Sequence, residues 1–355
     1  MLRGMVRKVG TARIVREIGR GGMGVVYEAI QEGLERPVAV KALDQKLVRS
    51  REQLERFRRE GRVYARLRHE SIVAVHDLVE KDEQLFLITE FVDGADLARV
   101  LAKGGALPPD CVAVIGARVA DALDYVHFNS MLHRDVKPAN VMLSRDGEVK
   151  LMDFGIAKGE DDPALTRAGM LVGSPSYMAP EVLNGEEAGP SSEVWALGVT
   201  LYELLTGEKP FRGANSDDLF AVIRRGRFPR IRSLAPACPW RLARAVEKCL
   251  SRRTSRRFKS AGALARALNA CAARALRKIH PRARLVALLA HRGFATEEVA
   301  LEHVDGETLA ATRRADEKGT ATLVEFPVRH RSHRLVLAAA VAVVTALAIW
   351  FAPPW

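Results

Sequence analysis

At 355 residues the chain exceeds one average domain, and its 48% hydrophobic and 28% charged residues belong to a folded globular protein, which excludes a disordered one. The net charge of +12 would suit a polyanionic partner, but the basic residues cluster at 49–68, 224–232, 252–259 and 329–334 without any nucleic-acid motif. They read as solvated basic faces, so no nucleic-acid partner is expected. Cys111, Cys238, Cys249 and Cys271 stand too far apart for a metal site or a redox dithiol, and Met1-Leu2-Arg3-Gly4 is followed by no apolar run, so no cleaved signal peptide is expected.

In chain order, residues 14–41 read as strand, glycine turn, strand, turn, strand. Val25-Val26-Tyr27-Glu28-Ala29 and Pro37-Val38-Ala39-Val40-Lys41 carry the branched residues that favour strands. The turn between the first two, Gly19-Arg20-Gly21-Gly22-Met23-Gly24 followed by Val25-Val26, fits G-x-G-x-x-G-x-V. A dinucleotide site uses similar spacing, but there the glycines open a helix. Here they join antiparallel-type strands, and such a hairpin can fold over a triphosphate and offer its N–H groups.

Residues 51–68 have helical period, with Leu54, Phe57, Tyr64 and Leu67 on one face and Glu60 beside them. Glu60 is a candidate ion-pair partner for Lys41, which would hold that ammonium against nucleotide phosphates. Gly61 lowers helix propensity by about 1 kcal/mol and hints at a mobile helix. Leu85-Phe86-Leu87-Ile88-Thr89 is a buried-type strand; beyond it helices dominate, at 110–129, 192–206, 217–226 and 261–279. Strands first and helices afterwards predict two lobes of different class with a cleft between them.

The chemistry concentrates in His133-Arg134-Asp135-Val136-Lys137-Pro138-Ala139-Asn140 and Asp153-Phe154-Gly155. This combination places a carboxylate, Asp135, for a substrate hydroxyl, and two hard oxygen donors, Asn140 and Asp153, for a cation of the Mg²⁺ type. Lys137 can stabilise charge on a transferring phosphoryl group. His133 reads as a buried histidine bonded to backbone, not as a metal ligand.

Together these segments resemble the eukaryotic-like (Hanks-type) serine/threonine protein kinases, in particular the bacterial membrane-anchored ones. The resemblance covers about residues 14–270 and extends to Gly173-Ser174-Pro175-Ser176-Tyr177-Met178-Ala179-Pro180-Glu181. It implies an α+β, two-lobed fold: a small antiparallel lobe with one helix at 14–91 and a larger helical lobe at 92–270. It implies ATP and Mg²⁺, with Mn²⁺ as a substitute, and protein Ser/Thr hydroxyls as acceptors. Carried over, Asp135 is the catalytic base, supported by Lys137, Lys41 and Glu60, and Asn140 and Asp153 hold metal. ATP would meet Gly19, Arg20, Gly21, Gly22, Met23, Gly24, Val26, Ala39 and Lys41, with Glu90 and Val92 as backbone hinge contacts. Thr89 would be a small gatekeeper, Glu181 would pair with Arg257, and Thr166 would be an autophosphorylated activation-loop residue answering Arg134.

Two positions depart from the family pattern. Glu193 stands where an Asp normally braces the catalytic loop, and an extra methylene could displace that loop by about 1 Å. Arg252-Arg253-Thr254-Ser255-Arg256-Arg257 lacks the usual Asp-Pro, which should alter only a turn. A pseudokinase scaffold would be free to lose Lys41, Asp135 or Asp153, yet all three are present. A small-molecule phosphotransferase would not need the Pro-rich segment before Glu181.

Residues 271–334 mix short apolar runs with charges and read as a partly structured juxtamembrane linker. Residues 335–351 are apolar apart from Thr345 and would span about 25 Å as a helix, slightly short of a ~30 Å hydrocarbon core. Arg329-His330-Arg331-Ser332-His333-Arg334 before it and Trp350 and Trp355 at its end fit a single transmembrane helix, with the kinase domain on the cytoplasmic side of the cell membrane. Ala338-Ala339-Ala340 and Ala342 would let a second helix approach, as a homodimer requires.

Overall fold

The computed structural model describes residues 8–21, 24–43, 51–81, 84–154, 175–276 and 280–295. The expectations at Gly22, Met23 and Thr166, and those for 296–334 and the apolar run 335–351, lie outside these residues.

Strands β1 (Lys8–Val9), β2 (Ala12–Gly21), β3 (Gly24–Gln31), β4 (Arg36–Leu43), β5 (Val75–Lys81) and β6 (Gln84–Glu90) form one sheet in the order β1-β2-β3-β4-β6-β5. Every neighbouring pair is antiparallel. Alternation decides what each face does. Val38, Val40 and Ala42 of β4 are buried with Phe86 and Ile88 of β6, which turns Ala39 and Lys41 to the opposite face. That face roofs the cleft.

Helix α1 (Arg51–Tyr64) lies between β4 and β5 in sequence. Gly61 serves packing: a Cβ there would stand only 3.3 Å from Leu78 Cδ2 of β5. A side chain there would require Leu78 to give way by a few tenths of an ångström.

The second lobe begins with β7 (Gly94–Asp96) and α2 (Leu97–Gly104), where Asp96 caps the helix by accepting the Arg99 N–H at 2.9 Å. Next come α3 (Pro109–Phe128), the hairpin β8 (Val141–Ser144) and β9 (Val149–Leu151), α4 (Pro180–Leu183) and α5 (Pro190–Thr206). Helices α6 (Ser216–Arg225), α7 (Ile231–Leu234), α8 (Trp240–Cys249) and α9 (Ala261–Ala275) follow. Strands β7, β8 and β9 form a small sheet under the cleft. Helix α3 is apolar nearly all round and forms the lobe's axis. At Gly116 a Cβ would meet Leu201 of α5 and Leu268 of α9 within about 3 Å, so this glycine lets the three helices close on one another.

The stretch expected to be a partly structured linker begins with order. Residues Pro281–His291 form α10, with Leu285, Val286, Ala287, Leu288 and Leu289 buried. Its Arg284 meets Asp110 of α3 at 2.6 Å. Among the described residues no helix is long and apolar enough to cross a membrane.

Candidate active site

A cleft of about 560 Å³ separates the lobes, walled by Val26, Ala39, Leu87 and Met142 and closed at its inner end by Lys41 and Asp153. Of the residues read as nucleotide contacts, Gly19, Val26, Ala39, Lys41, Glu90 and Val92 all line it. Gly21 pairs with Gly24 across the β2–β3 turn, where Gly24 takes φ 129, a backbone conformation that disfavours a side chain. Arg20 does not line the cleft: its guanidinium is engaged by Glu17 at 2.7 Å on the exposed strand.

The outer end of β6 makes the hinge. The Glu90 carboxylate is fastened to Lys150 at 2.8 Å and to the Ala74 N–H at 3.1 Å, so any contact it offers a ligand is through its backbone. Val92 lies past the last residue of β6, where the sheet no longer consumes its N–H and C=O. Thr89, half-buried between Ala39 and Val75 in the sheet register, also faces the cleft.

Two tied loops carry the chemistry. Asp135 Oδ2 lies 2.7 Å from Lys137 Nζ and accepts from Asn140 Nδ2 at 2.8 Å. The Asn140 amide also reaches the Asp135 carbonyl at 2.7 Å. The Asn140 carbonyl accepts the Met152 N–H at 2.9 Å, and the Met152 carbonyl accepts from His133 Nε2 at 2.9 Å. These bonds fasten the loop of Asp135 to that of Asp153. His133 is fully buried and bonded to backbone, as expected; burial pushes its pKa down, against the opposing pull of Glu193, the Met152 carbonyl, Asp135 and Asp153.

Both loops hold left-handed backbone at residues other than glycine: Arg134 has φ 65 and Asp153 φ 58. Such strain persists only where the surroundings enforce it. For Arg134, Glu193 supplies that enforcement. Its Oε1 accepts the Arg134 N–H at 2.5 Å and its Oε2 accepts from His127 Nε2 at 2.7 Å. The longer acid therefore reaches and braces the loop despite its extra methylene.

The Lys41 ammonium meets Asp153 Oδ1 at 2.8 Å, a partner that the sequence reading did not name. Glu60, named for that role, is half-buried on α1. Sequence reasoning also missed how α1 is keyed to the loops. The Phe154 ring lies 4.6 Å from both Tyr64 and His133, and the Tyr64 hydroxyl donates to the Leu132 carbonyl at 3.1 Å. The only signal was that Tyr64 shares a helix face with Glu60, four residues away.

The donor set fits a hard divalent cation. A carboxylate such as Asp135 can only accept, so Asn140 must present its NH₂ there, which leaves its oxygen for metal. Asp153 offers a second oxygen. Among the described residues no cluster of three His, Cys, Asp or Glu could hold a metal alone. Phosphate oxygens would have to complete the shell.

On the acceptor side, Arg257 forks onto Glu181 at 2.6 and 2.7 Å, as the resemblance implied. The turn at Thr254–Arg256 aims it there without the Asp-Pro of the family pattern. Next to Lys137 and Pro138, the Tyr177 hydroxyl donates to Glu203 at 2.6 Å in a second cavity of about 530 Å³. Burial, with the Glu203 bond, raises the Tyr177 pKa, so its proton stays. Neither Tyr177 nor Glu203 was singled out from sequence.

Comparison with known proteins agrees with this geometry. The serine/threonine-protein kinase PknH of Mycobacterium bovis is 38% identical over 257 residues, 72% of this chain and 43% of that relative. PkaA of Streptomyces coelicolor, also a serine/threonine-protein kinase, is 38% identical over 282 residues, 75% of this chain and 51% of its own length. The chain thus spans about half or less of these curated relatives. The crystal structure of the Mycobacterium tuberculosis PknI kinase domain matches with a TM-score of 0.61 at 31% identity, covering 75% of this chain and 99% of that one. Since residues 12–268 also match the family described as the protein kinase domain, the chain belongs to that family.

Proposed function

We propose that this chain is an active serine/threonine protein kinase, transferring the γ-phosphate of ATP to Ser/Thr hydroxyls of proteins with Mg²⁺ as the metal. One observation carries the reading: Asp135 is pinned by Lys137 and Asn140 at 2.7 and 2.8 Å on a loop tied to that of Asp153. Asp135 would orient the acceptor hydroxyl and take its proton late in transfer. Lys137 would neutralise charge growing on the phosphoryl oxygens, and Lys41 would hold the inner phosphates. Asn140 and Asp153 would hold Mg²⁺, which supplies charge neutralisation when bound.

The scaffold alternative finds less support, because the groups a scaffold could lose are present and already engaged with one another. Thr166 is the autophosphorylation site in this reading. The run 335–351 would anchor the enzyme in the cell membrane with its catalytic domain cytoplasmic, and its alanines would allow dimerisation. The deciding experiment is transfer of radiolabelled phosphate to a generic Ser/Thr protein, with and without Mg²⁺, for the wild type and Asp135→Asn. Transfer that needs Mg²⁺ and disappears in the variant, with ATP binding kept, supports the assignment; near-native transfer by the variant sinks it.

A further inference from the structure

The cleft has a wall that lies outside the family match. That match ends at residue 268, yet Gly293 and Phe294 line the cleft beside Asp93, Asp96 and Arg99.

Their position is built. Helix α10 is pinned to α3 by Arg284, which is 3% exposed and forks onto Asp110. Its last turn ends in a Schellman motif: the Gly293 N–H bonds to the Ala290 carbonyl and the Phe294 N–H to the Leu289 carbonyl, both at 2.9 Å. Gly293, at φ 67, supplies the left-handed residue this motif needs. The direction in which Phe294 leaves the helix is thereby set.

The receiving surface is shaped to match. Arg292 donates to the Ala106 carbonyl at 3.0 Å, and a Cβ on Gly104 would collide with its guanidinium. Lys103 donates to the Gly293 carbonyl at 3.2 Å. The Phe294 ring is then held by two cations, Lys103 at 4.8 Å and Arg99 at 5.4 Å from its centroid.

We propose that Phe294 is a nucleotide-binding residue supplied from beyond the catalytic domain, closing the cleft mouth against the nucleoside part of ATP. The proposal rests on the reading of this cleft as the ATP site. Position decides which part of the ligand it meets. Lys41 lies at the inner end, where phosphates belong, whereas Phe294 lines the cleft with Asp93 and Gly94, just past the hinge residues Glu90 and Val92, where the base and sugar belong. An apolar ring at that end suits the uncharged base and sugar. Because α10 positions the ring, binding of nucleotide and docking of this segment favour each other.

The test uses the full chain, with ATP affinity measured by calorimetry and steady-state kinetics measured in parallel. Phe294→Ala should raise both Kd and KM for ATP about three- to tenfold, with kcat changed less than twofold. Phe294→Tyr, which keeps the ring, should restore most of the affinity. Kd and KM within twofold of wild type for Phe294→Ala would overturn the proposal, as would a fall in kcat alone. A wild type that binds ATP but transfers no phosphate would sink the kinase reading and leave the Kd comparison to decide Phe294. A wild type that binds no ATP would sink both.

Discussion

Glu193 grips the catalytic loop from below: its Oε1 receives the Arg134 N–H at 2.5 Å while its Oε2 receives His127 Nε2 at 2.7 Å. Arg134 is a strained, left-handed residue immediately before Asp135, so this grip fixes where the Asp135 carboxylate stands. Both oxygens are used, by groups from two different elements. The length of the side chain therefore matters as much as its charge.

Replacing Glu193 by Asp, the residue usual in the family, should consequently impair the phosphate transfer proposed for this chain. The shorter acid cannot satisfy both donors without moving α5, and displacement of a reacting group by about 1 Å can cost ~10²-fold in rate. We expect kcat to fall at least about tenfold with KM for ATP nearly unchanged. Activity equal to or above wild type in the Asp variant would show that the chain does not depend on the longer reach.

Thr89 faces the cleft from β6, between Ala39 and Val75 of the flanking strands, and its short side chain should leave the space behind it open to a ligand. An ATP-site inhibitor carrying a bulky group should therefore bind the wild type well and lose at least about tenfold in potency against Thr89→Met, since overpacking a filled space costs about 1–3 kcal/mol. Dose–response curves on the two proteins measure this. Superimposable curves would mean that the inhibitor never reaches past Thr89.

How far the sequence was legible depended on how local the cause was. The alternation in Val38-Ala39-Val40-Lys41 announced both a strand and the face on which Lys41 would lie. The glycine-rich turn announced a hairpin in the same way. Glu181–Arg257 was expected from family resemblance, and the fork is there although the preceding Asp-Pro is not. The partnership of Lys41 with Asp153 was not foreseen, because it depends on how one lobe closes over the other. Helix α10 was missed for a different reason: its core run, Leu285–Leu289, is flanked by arginines that look solvated until Asp110, far back in the chain, is found beneath Arg284. Nothing in the local sequence marks Phe294, whose contacts lie on α2.

Arg257 is fully buried at its side chain and holds Glu181 in a fork, with further bonds to the Ser191 and Ser251 carbonyls at 2.9 and 2.8 Å. Removing it leaves a buried carboxylate without its counter-charge. Arg257→Met should therefore cost about 3–5 kcal/mol of stability, and the double variant Glu181→Gln with Arg257→Met should recover part of it. Denaturant unfolding of the three proteins provides the measurement. A loss below about 1 kcal/mol in the single variant would mean that water reaches Glu181 and replaces the arginine.

His133 gives the fold a pH dependence whose sign is fixed by its surroundings. Its Nε2–H donates to Met152 and its Nδ1 accepts the Asp135 N–H at 3.2 Å, a pattern that only the neutral ring satisfies. Burial, outweighing the nearby Glu193, Asp135 and Asp153 carboxylates, holds the folded pKa below the ordinary histidine value of 6.5. Above about pH 6.5 neither state takes up the proton, and the contribution to stability is constant. Below it the unfolded chain binds a proton that the folded one refuses, so stability falls as pH falls, by at most about 1.4 kcal/mol per unit. Between pH 7.5 and 5.5 the wild type should lose up to about 1.3 kcal/mol more than His133→Asn, which cannot titrate. Unfolding curves at the two pH values decide it: parallel losses in both proteins would mean that the folded ring takes up the proton as readily as the unfolded one, at the expense of its bond from the Asp135 N–H.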